Sequence, residues 1–243
     1  MTTKLIHEKR APKSKAELDN IIKAQRISEQ VLSDTLKILK LGITEIFVQD
    51  FIKKSFVKHK APVLSFSPIV AFGKNTANIH HEPGKTKLKK GDTIMFDFGT
   101  TILDYCSDMT RTYFYGEPTE EQKKVYLGVL NAMDRAMLKI SKGEKRARVI
   151  DKEARSYLDK KFGMDAFPHG LGHGVGTVIH EWPNLKPHSK DVLPAGCVMT
   201  IEPGVYFEGF GGVRIEDMIL ITKNGYQNLT NVPKDLESVI IKI

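Results

Sequence analysis

Cysteine is scarce: Cys106 and Cys197 are the only two in 243 residues. That excludes the disulfide framework of a small secreted domain, and each thiol reads as a small buried hydrophobe. No apolar run approaches the roughly 18 residues of a membrane span, so no membrane partner is expected. The opening MTTKLIHEKRAPKSK is basic and has no apolar h-region, so no secretory signal is read there. Together these absences point to a reducing cytoplasm. Also missing is a cluster of aromatic and basic residues on which bases would stack. The 37 Lys and Arg exceed the 29 Asp and Glu, giving a net charge of +8, but they are spread along the chain and alternate with acids on the expected helices. No nucleic-acid partner is expected from such a surface.

What is present is an ordinary globular composition, 41% hydrophobic and 27% charged, in a chain long enough for a sizeable core. Its pattern occurs twice. Ser14 with Glu17 three residues on is a capping box, and Leu18, Ile21, Ile22, Gln25, Leu32, Leu36 and Leu39 follow at helical spacing until Gly42. Thr44 starts a second helix with Phe47, Phe51, Ile52 and Phe56 as its expected apolar face. A loop over 61–90 precedes two strands, Thr93 to Phe98 and Ser107 to Tyr115, around a turn at Leu103-Asp104. Thr119 and Gln122 then form another capping box, with Gly143 ending that helix, and a further helix is expected from Arg148 to Phe162. After a Gly- and His-rich loop come strands Val198 to Ile201 and Val213 to Thr222 around the turn 208–212. Ser14 and Thr119 are 105 residues apart, and the same offset carries Gly91 to Gly196, Asp97 to Glu202 and Gly99 to Gly204.

Asp97 lies inside GDTIMFDFG, an apolar strand where an unpaired carboxylate costs several kcal/mol or takes up a proton. Each hairpin carries a second acid on its returning strand, Asp108 in DYCSDMTRT and Glu216 in GVRIEDMIL. Pairing would set Asp97 beside Asp108 and Glu202 beside Glu216. If the hairpins face each other, four carboxylates converge, and they stay ionised only with cations among them. A carboxylate-rich site with at most one imidazole suits Mn, Fe(II), Co or Zn, and a pair of such ions suits a hydrolase that activates water. In PHGLGHGVGTVIHEWP the alternating glycines each cost a helix about 1 kcal/mol, so the segment reads as extended. His169 and His173 then share one face, and His180 joins them only through a bulge or turn. His80 in NIHHEPG is a weaker candidate on local grounds, and His7, His59 and His188 carry no signal.

The motifs DFGTTILDYCSDMTRT, HGLGHGVG, VIHEWP, TIEPGVY and GGVRIED resemble those of the pita-bread metallopeptidases. That family includes methionine aminopeptidase, aminopeptidase P and prolidase, and the resemblance runs from about Lys13 to the C-terminus. It implies an α+β fold whose pseudo-twofold helix-helix-hairpin halves surround a curved, mostly antiparallel sheet. It also implies two divalent ions, manganese foremost, with cobalt, zinc or iron(II) as alternatives. Carried onto this sequence, Asp97 chelates one ion, Asp108 and Glu216 bridge both, and His173 and Glu202 complete the other shell. Glu202 would be the general base, His180 the oxyanion donor and His80 a holder of substrate. His169 would contact substrate, with Tyr206 and Arg214 beside it, and Arg214 would pair with Glu216, Tyr206 or a substrate carboxylate.

SDMTRTYF, Tyr206 and the arginine of VRIED look like the aminopeptidase P and prolidase branch, because methionine aminopeptidases typically lack arginine at the position of Arg214. The expected partner is therefore a short peptide, cut at an Xaa-Pro bond near its free N-terminus. Methionine aminopeptidase activity and a non-catalytic pita-bread binding protein are the alternatives. Proline-cleaving relatives usually carry an N-terminal domain that covers the site and helps form the dimer. Here residues 1–12 read as a short extension and 13–243 as a single domain, in a naturally minimal or truncated enzyme, monomeric or homodimeric.

Overall fold

The computed structural model describes residues 8–243; His7 and the rest of residues 1–7 lie outside the described part. Helix α1 (Lys15–Ile38) begins at the Ser14–Glu17 capping box, with both reciprocal bonds made. It ends at Leu39, three residues before the expected Gly42. Helix α2 (Glu45–Lys58) is capped by Thr44, whose hydroxyl accepts from the Phe47 N–H. Its buried face is Val48, Ile52 and Phe56; Phe47, expected on that face, is 58% exposed.

The interval 61–90, expected to be loop, contains regular structure. Strand β1 (Ile69–Phe72) and a 3₁₀ turn over Gly73–Ala77 occupy its middle. The first ribbon follows as β2 (Thr93–Asp97), β3 (Thr101–Ile102), β4 (Tyr105–Cys106) and β5 (Thr110–Tyr115). Leu103 and Asp104 both take positive φ, as a tight hairpin turn requires.

The second half repeats the plan. Helix α3 (Glu120–Ser141) starts at the Thr119–Gln122 capping box, and α4 (Ala147–Phe162) follows with Ile150, Ala154 and Leu158 buried. Then come β6 (Gly172–Gly174), β7 (Glu181–Leu185), β8 (Val198–Ile201), β9 (Gly204–Phe207), β10 (Gly211–Arg214), β11 (Asp217–Thr222) and β12 (Gly225–Asn228). Strand β13 (Ile240–Ile241) runs parallel to β5, the one parallel pairing among the described strands.

Two sheets result, β1-β2-β5-β13 and β12-β11-β8-β6-β7, with β3-β4 and β9-β10 as separate two-stranded ribbons. Each expected long hairpin is therefore broken twice. The breaks fall at 98–100 and 107–109 in the first copy and at 202–203 and 215–216 in the second. The sheets join where the Glu216 N–H donates to Thr110 O (3.1 Å) and the Thr112 hydroxyl donates to Arg214 O (2.8 Å). Beneath the helices one large core includes Phe56, Phe72, Phe96, Phe98 and Phe114, each contributing about 1.5–3 kcal/mol on burial. Cys106 and Cys197 are free and buried, as expected.

Candidate metal centre

The breaks place the acids. Asp97 is the last residue of β2 and pairs across the ladder with Thr110, so Asp108 sits two residues further along, inside the kink. In the second copy Asp217 pairs with Ile201, and Glu216 and Glu202 follow in the two kinked segments. Direct cross-strand pairing of Asp97 with Asp108 is thus not what brings them together; the bend does. Glycine is required at the bend: a Cβ on Gly99 would lie 1.8 Å from Ser107 O.

His173 arrives from β6, which lies between β8 and β7. A Cβ on Gly172 would stand 2.0 Å from Thr200 O, the close backbone packing the alternating glycines implied. The ladder shifts register between His173 and Gly174, and the chain turns before β7. That turn returns His180 to His173, with ring centroids 4.3 Å apart and edge to face.

Asp97, Asp108, His173, Glu202 and Glu216 all line one cavity of about 470 Å³, together with His80, His169, His180 and Arg214. Phe66, Ile69, Ile79 and Leu185 supply apolar wall. Asp108, His173 and Glu216 each present a donor atom within 4.8 Å of the other two. His173 Nε2 lies 3.3 Å from Glu202 Oε1 and 3.6 Å from Asp108 Oδ2.

The donor chemistry fits cations. His173 Nδ1 is 3.0 Å from Gly174 O, an atom that can only accept, so Nδ1 carries the hydrogen. Nε2 is then a bare lone pair facing carboxylate oxygens, which is repulsive unless something positive stands between them. Asp97 Oδ1 and Glu216 Oε1 are buried with no hydrogen-bond partner among the described residues. Without cations the cluster must hold protons. Burial, then the neighbouring acids Glu216, Asp97 and Glu202, push Asp108 well above the carboxylate range. Burial, then Glu202 and Asp97, do the same to Glu216. Burial raises Glu202 to about 7 against the pull of Arg214. Burial also disfavours the charged form of His173.

Arg214 is the fixed positive charge beside the acids. The expected contact with Tyr206 is made, Nη1 donating to the phenol oxygen at 2.9 Å, but the carboxylate partner is Asp97 (2.6 Å) and not Glu216. Arg214 reaches Glu216 indirectly: its Nε donates to the Thr110 hydroxyl (3.0 Å), which donates to Glu216 Oε2 (2.7 Å). Tyr206 in turn donates to His169 Nε2 (2.8 Å), while His169 Nδ1 donates to Gly170 O (2.8 Å). Both His169 nitrogens are therefore engaged, and the ring meets the cavity without a free polar atom. Burial keeps it neutral, with its pKa lowered to about 3. Tyr206 itself is absent from the cavity wall and acts on it through His169 and Arg214. His80 is exposed at the rim.

Two residues that sequence reasoning missed are Thr110 and Thr200. The Thr200 hydroxyl donates to Glu202 Oε1 (3.0 Å) and accepts from the His173 N–H (3.0 Å). Each threonine is two positions from an acid, Thr110 after Asp108 and Thr200 before Glu202, and that period was the available signal.

The model of metallopeptidase family M24 matches residues 19–223. An uncharacterized peptidase of Staphylococcus haemolyticus is 40% identical over 229 residues, covering 94% of this chain and 65% of its own length. An X-Pro aminopeptidase from Thermotoga maritima superposes with a TM-score of 0.93 at 33% identity, over 100% of this chain and 67% of that one. An Xaa-Pro dipeptidase from Bacillus anthracis does so at 0.92 and 35% identity, over 99% and 67%. The chain thus spans about two thirds of the length of the relatives it matches.

Proposed function

The chain belongs to metallopeptidase family M24 and has its pita-bread fold, and from that premise we propose that it hydrolyses Xaa-Pro bonds near the free N-terminus of short peptides. The observation that carries this reading is the convergence of Asp97, Asp108, Glu202 and Glu216 on the bare Nε2 of His173 in one cavity. Those five side chains would hold two divalent cations. When bound, such ions polarise the scissile carbonyl and make water acidic enough to attack near neutral pH.

The remaining chemistry belongs to the chain. Glu202, whose Oε1 faces the cavity beside His173, is suited by position to take a proton from the attacking water and return it to the leaving nitrogen. His180 faces the same cavity and is placed to donate to the oxyanion. His80 at the rim holds the substrate, and the wall of Phe66, Ile69 and Ile79 is an apolar surface for a prolyl ring. Arg214 fixes Asp97 from behind through the 2.6 Å contact of its Nη2 with Oδ2. The proposal further takes manganese as the resident ion, with cobalt, zinc or iron(II) able to replace it. It treats 13–243 as one domain, acting in the cytoplasm as a monomer or homodimer.

A peptide panel tests it. With added Mn²⁺, Co²⁺ or Zn²⁺, Ala-Pro and Arg-Pro-Pro are expected to be cleaved and Met-Ala-Ser left intact. Release of Met from Met-Ala-Ser alone would replace the proposal with methionine aminopeptidase activity. Binding of the ions without cleavage of any peptide would leave a binding protein.

A further inference from the structure

Glu45 is the first residue of α2, a place where a carboxylate ordinarily points to solvent and meets the helix dipole. Here it is fully buried. All four of its acceptor positions are taken. Oε1 accepts from the Phe72 N–H (2.8 Å) and from Asn75 Nδ2 (2.9 Å). Oε2 accepts from His81 Nε2 (2.9 Å) and from the Gly84 N–H (3.1 Å). One side chain therefore gathers the end of β1, the 3₁₀ turn and the far side of the His80-His81 loop.

Both ends of what it gathers reach the cavity. Ile69 of β1 pairs across the ladder with Asp97, so β1 is in register with a proposed cation ligand. At the other end, Ile79 and His80 line the cavity immediately before His81. The loop has additional ties: Asn78 Oδ1 accepts from the His80 N–H (3.2 Å), and Asn75 also donates to the Thr86 hydroxyl (2.9 Å). The His81 imidazole, 14% exposed, turns away from the cavity to meet Glu45, so the adjacent histidines divide into one anchored and one lining the cavity.

We propose that Glu45 is a positioning residue that sets His80 against the carboxylate cage by holding His81, Gly84, Asn75 and Phe72 on one buried carboxylate. The proposal rests on the peptidase reading for its kinetic consequence and on geometry alone for its structural one. Glu45→Gln keeps the shape of the side chain but replaces an acceptor with an NH₂ group that faces two donors, so the loop must shift. A misplacement of about 1 Å can cost up to about 10²-fold in rate.

The test is a double-mutant cycle of Glu45→Gln with His80→Ala on an Xaa-Pro peptide, alongside amide hydrogen exchange over 78–84 in the absence of peptide. Glu45→Gln is expected to lower kcat/KM by about 10- to 10²-fold in the wild-type background and by less than about twofold once His80 is alanine. Exchange over 78–84 is expected to quicken while α3 and α4 are unchanged. A loss of the same size in both backgrounds, or unchanged exchange over 78–84, would overturn the proposal. Should Glu45→Gln fail to fold, His81→Ala removes one of the four donors and is read by the same cycle and the same criteria. Should the wild type cleave no peptide, the peptidase reading fails, and the exchange result alone decides for or against the positioning role.

Discussion

Glu202→Gln is expected to lower kcat on Ala-Pro by about 10²–10⁴-fold, the range associated with loss of a general base. The isostere keeps the size of the side chain but removes the charge, and with it the proton acceptor, from a carboxylate whose Oε1 both accepts from Thr200 and faces His173 Nε2. Because the proton is taken in the transition state, kcat and kcat/KM should fall together. His180→Ala should cost less, about 10²–10³-fold, as removal of one oxyanion donor typically does. His59→Ala, which removes a histidine joined to Asp34, should leave turnover intact. Steady-state kinetics with saturating Mn²⁺ decides this. A Glu202→Gln enzyme retaining more than about a tenth of wild-type kcat would contradict the proton-transfer role.

The second large effect is on stability. Arg111 is fully buried, and its Nη2 meets Asp217 Oδ1 at 2.7 Å and Val232 O at 2.9 Å. Its Nη1 donates to Thr110 O (3.0 Å) and to Glu216 O, so the guanidinium bolts the first sheet to the second beside the cage. Asp217 is also fully buried and receives Lys234 Nζ (2.7 Å) and Asn228 Nδ2 (2.8 Å). Burial alone would raise the Asp217 pKa, but Arg111 and Lys234 outweigh it and hold it below the usual value. Arg111→Met leaves that carboxylate short of its main partner and is expected to destabilise by about 3–5 kcal/mol. At about 2–4 °C per kcal/mol for a chain of this size, the midpoint should drop by roughly 6–20 °C. Since the folded pKa of Asp217 is depressed, its contribution is fully present above the unfolded carboxylate value and is lost as pH falls from there through the lower folded pKa. The variant's deficit should accordingly narrow in acid. Calorimetric melting at pH 7 and pH 3 measures both effects, and a shift below about 2 °C at pH 7 would show the pair to be dispensable.

Much of this site was legible because its signals are local or repeated. The two capping boxes start α1 and α3 as expected, and the 105-residue offset carries β2 onto β8. The acids fall in apolar strands at matched positions, and each strand bends there. The bends themselves were not legible, because a short apolar run does not show where its ladder breaks; Gly99 and Gly204 were the trace. Strand β1 was missed because Ile69–Phe72 is four residues between Pro68 and Gly73, too short to show a period, and its pairing with β2 is long-range. The face of α2 was misjudged because Phe47 is apolar but lies one position ahead of the buried stripe at Val48, Ile52 and Phe56. Glu45 could not be distinguished from an ordinary first-turn acid, since nothing local says that four donors from 72–84 will close over it. Arg214 was expected near the acids, but its choice of Asp97 over Glu216 depends on how two halves of the chain meet.

The acids also set how the cage responds to pH. Metal-free, burial raises the Glu202 pKa to about 7 from the ordinary 4.5, so the folded chain binds the extra proton between those values. Its contribution to folding therefore weakens as pH rises from 4.5 to 7, and cations reverse the loss by taking the proton's place.

Calorimetric titration of the metal-free protein with Mn²⁺ tests the central claim most directly. Two ions per chain are expected, with protons released on binding and affinity rising as pH increases through about 7. Both should be lost or weakened in Asp108→Asn and Glu216→Gln. Absence of heat and of bound manganese at every pH, with the cage residues intact, would contradict the account.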